Sequence, residues 1–147
     1  MTYEVPIKKL CPEAKLPTYG SERAAGADLY ALLEAPLAVE PGQTVLVHTG
    51  VALALPVGTV GLIFARSGLA TKRGLAPANK VGVIDADYRG EVMVALHNHS
   101  AQVATVEPYE RIAQLAVVPY ITAAFTQVED LDETARGTGG FGSTGTR

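Results

Sequence analysis

Two carboxylates and a phenol fall close together at Asp85, Asp87 and Tyr88. Before them stand Val81, Val83 and Ile84, β-branched residues that favour a half-buried strand. After them comes Arg89-Gly90, a turn signal, and then Val92, Val94 and Leu96 at period two. Read as a hairpin, this pattern carries Asp85 straight out of an apolar strand. The carboxylate would be held on a rigid element, partly dried and near exposed backbone, as a general base must be. The same residue types also make an ordinary Asx turn, so the stretch alone leaves both readings open. Asp87 falls where the turn breaks the strand and is expected to be a solvated turn residue.

A second group is Arg66-Ser67-Gly68. Ser67 is expected to cap a short helix over Gly68 to Arg73, with Gly74 as its left-handed stop. Free backbone N–H groups beside the Arg66 guanidinium would suit phosphate, and a capped surface turn with a solvated arginine fits equally. The third group is the tail, where five of the residues between Gly137 and Gly145 are glycine. Gly137 to Gly142 satisfies G-x-G-x-x-G, but the five residues after it leave no room for a helix to receive a pyrophosphate. A disordered tail and a mobile flap are both consistent with it. In the flap, Arg136 brings charge, Ser143 and Thr144 hydroxyls, and Phe141 a ring. His97 and His99 would share a strand face, but without a third zinc ligand they read as exposed strand-end histidines.

The elements that must position these residues are short and regularly spaced. Strands are predicted from Tyr3 to Ile7, Thr44 to Val47, Val51 to Leu55 and Val60 to Phe64, then Val92 to Leu96, Val103 to Val106 and Ile112 to Val118. Cys11 to Gly20 is predicted as loop, and Pro41-Gly42 and Pro56-Val57-Gly58 as turns. This spacing predicts an all-β sandwich or barrel with a single short helix. A chain of 147 residues, 48% hydrophobic and 18% charged, suits one globular domain. The net charge of −3 with scattered basic residues argues against a nucleic-acid surface. The uncharged run from Pro41 to Ala65 is cut by Gly and Pro, so it reads as strands rather than a membrane span. One cysteine, Cys11, and an N-terminus without an apolar run lead us to expect a cytoplasmic protein without a signal peptide.

Gly-Val-Ile-Asp-Ala-Asp-Tyr-Arg-Gly-Glu, residues 82–91, resembles the third motif of the trimeric deoxyuridine triphosphate nucleotidohydrolases (dUTPases). Four more segments match that family in order: 25–29, 66–70, 110–115 and 136–145. The resemblance implies a jelly-roll-like homotrimer, with a β domain over residues 1–135 and a mobile tail over 136–147 that closes the active site. It implies hydrolysis of dUTP to dUMP and pyrophosphate, which supplies dUMP for thymidylate synthesis and keeps uracil out of DNA. Each site would draw motifs from different subunits, with the tail from a third.

Uracil offers acceptor, donor and acceptor along its pairing edge, which strand backbone and the Asn79 amide could answer. The resemblance places the base in a slot lined by Val83, Ile84, Asp85 and Met93. Met93 could equally be core filler. Tyr88 would lie beneath the sugar and exclude a ribose hydroxyl, or simply cap an apolar core. Asp85 would deprotonate the water that attacks the α-phosphorus. Phosphates would fall to Arg66, Ser67 and Gly68, with Arg136, Phe141, Gly142, Ser143 and Thr144 closing from the tail. Magnesium carried on phosphate oxygens fits a chain without a ligand cluster. Asp28 and Gln114 would hold its waters, and a purely structural Asp28 is an even alternative. Ala65 precedes Arg-Ser-Gly where relatives have Gly or Pro, with little consequence expected. Tyr109 stands before Glu110-Arg111 where the family has glycine. Tyrosine is costly at positive φ, so the local turn is expected to differ, which puts Arg111's role in question, with an intramolecular carboxylate pairing as the alternative. A dCTP deaminase of the same fold, which would need a glutamate at the base, and a non-catalytic trimeric nucleotide-binding module are the alternatives.

Overall fold

The computed structural model describes residues 2–140. In chain order its strands are β1 (Ile7–Lys9), β2 (Thr18–Tyr19), β3 (Ala27–Tyr30), β4 (Leu37–Val39), β5 (Thr44–His48), β6 (Val51–Leu53) and β7 (Thr59–Phe64). Helix α1 (Ser67–Arg73) follows, then β8 (Leu75–Pro77), β9 (Gly82–Ile84), β10 (Met93–Asn98), β11 (Ala104–Val106) and β12 (Arg111–Pro119). The architecture is all-β and jelly-roll-like, with this one short helix among the described residues. A five-stranded sheet runs β2-β3-β12-β7-β9, a three-stranded sheet β5-β10-β8, and β1-β6 and β11-β4 form two-stranded sheets. Every pairing is antiparallel.

The strands form because their apolar residues recur at period two and find one common core. Along β10, Val94, Leu96 and Asn98 are buried, while Met93, Ala95 and His97 on the opposite face are half-buried. Leu29, Val39, Val47, Val51, Leu75, Leu96, Val106 and Ile112 are essentially inaccessible and meet in a single cluster. Burying each such side chain stabilises the fold by about 1.5–3 kcal/mol before entropy is counted. Asn98 joins them because its polar atoms are matched: its amide donates to Val39 O and Gln102 O, both at 2.8 Å, and its carbonyl accepts from Ser100.

Several sequence expectations need correcting. Val81 to Leu96 is not a hairpin. Strand β9 pairs with β7 and β10 pairs with β5 and β8, so residues 85–92 cross from one sheet to another. The turn is at Ala86-Asp87 rather than Arg89-Gly90, closed by Tyr88 N–H donating to Asp85 O at 3.1 Å. Asp87 is an exposed turn residue, as expected. The first strand starts at Ile7, beyond Tyr3 and Val5, and the predicted loop from Cys11 to Gly20 contains β2, which pairs with β3. Ser67 is the first helical residue; Arg66 is the N-cap and no side chain caps the helix. Gly74 does stop it, at φ 69. His99 lies past the end of β10, and the half-buried His97 Nδ1 is 3.0 Å from Thr44 Oγ1. The last strand ends at Pro119, and residues 120–140 form no further strand or helix and are largely exposed. No helix among the described residues is long and apolar enough to cross a membrane.

Candidate functional site

Most of the residues singled out in the sequence line one of two cavities. The first, of about 320 Å³, lies where the chain passes between the sheets. It is lined by Asn79, Gly82, Val83, Ile84, Asp85, Tyr88 and Met93, together with Leu46, Ile63, Glu91, Val92 and Ala95. Leu46 and Ala95 are direct cross-strand partners on β5 and β10, so one wall of the slot is the outer face of that sheet. The opposite wall is β9, and Gly82 lets it pack closely on β7 of its own sheet: a methyl group there would stand 3.1 Å from Ile63 Cβ. The Asn79 amide nitrogen lies above Gly82, and Lys80, at φ 65, turns the chain into β9. Asp85 is the first residue beyond β9 and is exposed, not partly dried as expected from the sequence.

Tyr88 is held at the mouth of this slot. Its hydroxyl donates to Glu91 O at 2.9 Å, and its ring lies so close over Gly90 that any Cβ there would strike it. Glu91 in turn anchors the chain on the far side. One carboxylate oxygen accepts from the backbone N–H of Gly50 at 2.7 Å and of Thr49 at 3.2 Å, and the other meets His48 Nδ1 at 2.8 Å. Burial opposes the charged form of Glu91. The hydrogen bonds from His48, Gly50 and Thr49 and the His48 charge outweigh it, so its pKa lies below the ordinary 4.5. Sequence reasoning missed this role, since a glutamate after glycine reads as surface.

The second cavity, of about 280 Å³, is lined by Gly20, Ala24, Gly26, Asp28, Arg66, Ser67, Gly68, Arg111 and Gln114. Asp28, only 7% exposed, lies between two guanidiniums. Arg66 Nε is 2.8 Å from one of its oxygens and Arg111 Nη1 is 3.2 Å from the other. The carboxylate pairing that was the alternative for Arg111 is therefore present. Gln114 Nε2 donates to Ala65 O at 2.9 Å, and its carbonyl lies against Gly26, where a methyl group would not fit. The turn before Arg111 does not differ as expected: Tyr109 adopts the left-handed conformation at φ 61. With no side-chain cap on α1, Ser67 is exposed and its hydroxyl is left to the cavity. This cup holds two cations against one carboxylate and borders an uncapped helix start, which suits a polyanion.

The two cavities share no lining residue. Arg136 is exposed in the tail, where its Nε donates to Gly139 O at 2.9 Å. Phe141, Gly142, Ser143 and Thr144 lie outside the described residues.

The profile of the dUTPase family matches residues 12–145. A deoxyuridine 5'-triphosphate nucleotidohydrolase of Desulfitobacterium hafniense (strain DSM 10664 / DCB-2) is 53% identical over 132 residues, covering 89% of this chain and 87% of that protein. The chain belongs to the dUTPase family. Among solved structures, the dUTPase of Staphylococcus bacteriophage 80alpha with dUPNHPP is 29% identical with a TM-score of 0.89, covering 99% of this chain and all of the other. The dUTPase of S. aureus phage phi11, a mutant described as coordinating a structural Mg(II) ion, shares the fold at 24% identity and a TM-score of 0.76, covering 87% of this chain and 98% of that one.

Glu91→Gln should cost about 1–3 kcal/mol at neutral pH, because backbone donors lose a charged acceptor. A lowered folded pKa contributes stability above the ordinary glutamate range, and that contribution is lost as pH falls through the folded value. The wild-type advantage in urea denaturation should therefore shrink below pH 4.5; a gap independent of pH would remove this role.

Proposed function

We propose that this chain hydrolyses dUTP to dUMP and pyrophosphate, and so supplies dUMP for thymidylate synthesis and keeps uracil out of DNA. The observation that carries the reading is Asp85 at the lip of a slot between β9 and β10, in a chain of this family. Uracil enters the slot with its pairing edge toward β9 backbone and the Asn79 amide, against Val83, Ile84 and Met93. Tyr88 lies flat under the sugar, where a ribose hydroxyl would find neither space nor a partner.

Asp85 orients a water and takes its proton as the oxygen attacks the α-phosphorus. The bond from that phosphorus to the bridging oxygen breaks, and pyrophosphate leaves with the electron pair. Arg66, Arg111, Ser67 and the backbone at Gly68 hold the phosphates. Arg136, Phe141, Gly142, Ser143 and Thr144 close over them from the tail.

The described residues hold no group of three His, Cys, Asp or Glu placed to bind a metal. That donor set suits a Mg²⁺ carried on phosphate oxygens and touching the protein through water. Each Asp28 oxygen keeps a lone pair beside its guanidinium, so Asp28, with the Gln114 carbonyl, would hold such waters. Mg²⁺ bound there neutralises phosphate charge.

Two cavities without a shared residue support a site completed between subunits of a homotrimer. Ile121, Phe125 and Leu131, each more than four-fifths exposed beyond the last strand, offer apolar surface for a neighbour. The mass in solution should be that of three chains; a monomer that hydrolyses dUTP would exclude a shared site. The lone Cys11 fits a reducing cytoplasm, and the net charge of −3 fits a protein that binds neither nucleic acid nor membrane.

Asp85→Asn should lower kcat by on the order of 10²–10⁴-fold with little change in KM. Undiminished turnover would exclude the general-base role. Release of ammonia from dCTP instead of pyrophosphate from dUTP would point to a deaminase, and neither product to a binding module. Tyr88→Ala should raise kcat/KM for UTP relative to dUTP by roughly ten- to a hundredfold, the worth of an unpartnered buried hydroxyl. Unchanged sugar selectivity in that variant would take Tyr88 out of the scheme.

A further inference from the structure

Tyr109 has φ 61, in the left-handed region where a bulky side chain crowds its own backbone. Backbone hydrogen bonds tie the turn on both sides. Tyr109 N–H donates to Ala31 O at 2.9 Å, Ala31 N–H donates to Glu110 O at 2.8 Å, and Glu110 N–H donates to Glu107 O at 3.0 Å. Directly beyond the turn, Arg111 pairs with Tyr30, and the β3–β12 register shifts between Arg111 and Ala113. The turn thus sets where β12 begins, and hence where the Arg111 guanidinium meets Asp28.

The strain is opposed by a cation. The Lys15 ammonium lies 5.1 Å from the centroid of the Tyr30 ring and 5.0 Å from that of Tyr109. One ammonium shared by two ring faces draws both together. Tyr30 is itself fixed, on β3, with its hydroxyl 2.5 Å from Thr18 Oγ1 on β2. Lys15 does not line the cationic cup, so any effect it has there is indirect.

We propose that Lys15 and Tyr109 are positioning residues for the phosphate cup. The ammonium between the Tyr30 and Tyr109 rings holds the left-handed turn closed, and the turn aims Arg111 into the cup. The inference rests on the reading of that cup as the triphosphate site. Its distinguishing consequence concerns glycine, which takes positive φ without crowding. In Tyr109→Gly the turn closes unaided, and Lys15 ceases to matter.

The test uses full-length wild type, Lys15→Met, Tyr109→Gly and the double variant. KM and kcat are measured with dUTP, and affinity for inorganic tripolyphosphate by calorimetry. Lys15→Met alone should raise KM and the tripolyphosphate Kd by roughly two- to fivefold, the worth of an exposed cation–π contact, with kcat unchanged. Lys15→Arg should restore both. In the Tyr109→Gly background, loss of Lys15 should have no further effect. Equal losses in both backgrounds would show that Lys15 acts as a general surface charge and would overturn the proposal, as would no loss in either. A wild-type protein that leaves dUTP intact, yet shows this coupling in tripolyphosphate binding, would refute the substrate assignment and support the clamp.

Discussion

A carboxylate that is almost wholly withdrawn from water must be matched by charge or it will not stay ionised. Asp28 is matched twice, by Arg66 at the exit of β7 and by Arg111 at the start of β12. These residues are far apart in sequence, so the pairings fix three separate segments relative to one another. The sheet beneath shares the constraint, because Asp28 lies opposite Gln114 and Gln114 opposite Phe64. The hydrogen bond from Gln114 to Ala65 O then holds the backbone that delivers Arg66. Removing either arginine would weaken the geometry of the other, since both answer to one carboxylate. The cup is part of how the five-stranded sheet is closed, not a surface feature laid over it.

The slot between β9 and β10 obeys a different constraint, one of topology. The chain leaves β9 in one sheet and enters β10 in another, and the slot is the gap it crosses. Such a crossing needs ties at both ends. The bond from Tyr88 to Glu91 O closes the near end, and the Glu91 carboxylate on Thr49, Gly50 and His48 closes the far one. One glutamate therefore serves both the path of the backbone and the seat of the ring. Gly90 completes the arrangement by leaving the space the ring occupies.

What could be read from the sequence was local, and what could not was a matter of partners. Alternation in Val92, Val94 and Leu96 identifies a strand but carries no information on what pairs with it, so a crossover looked like a hairpin. For the same reason Leu46 and Ala95, which complete the slot, left no signal. Gly74 was legible because a left-handed stop needs only its own residue type. Ser67 was misassigned because capping preference takes no account of where the chain turns. Strand β2 has two residues and depends on β3 for its existence, so no period marks it. At Tyr109, intrinsic backbone preference pointed away from positive φ, and tertiary contacts overrode it. Lys15, far off in sequence, is part of that override. The motif residues, by contrast, largely fell into two cavities, because each motif is a contiguous segment and needs no pairing to be recognised.

The proposed general base gains from a dry surrounding, yet in the single chain the Asp85 carboxylate meets solvent. Permanent burial would carry a desolvation cost in every molecule, occupied or not. In the mechanism proposed above, drying by substrate, by a neighbouring subunit and by the tail would confine that cost to the complex, where nucleotide contacts offset it. It also keeps water from an activated phosphate until all the parts are assembled. On this reading the division of the site into a slot and a cup with no residue in common is functional. Neither half alone can dry the base, so hydrolysis waits for the nucleotide that spans both.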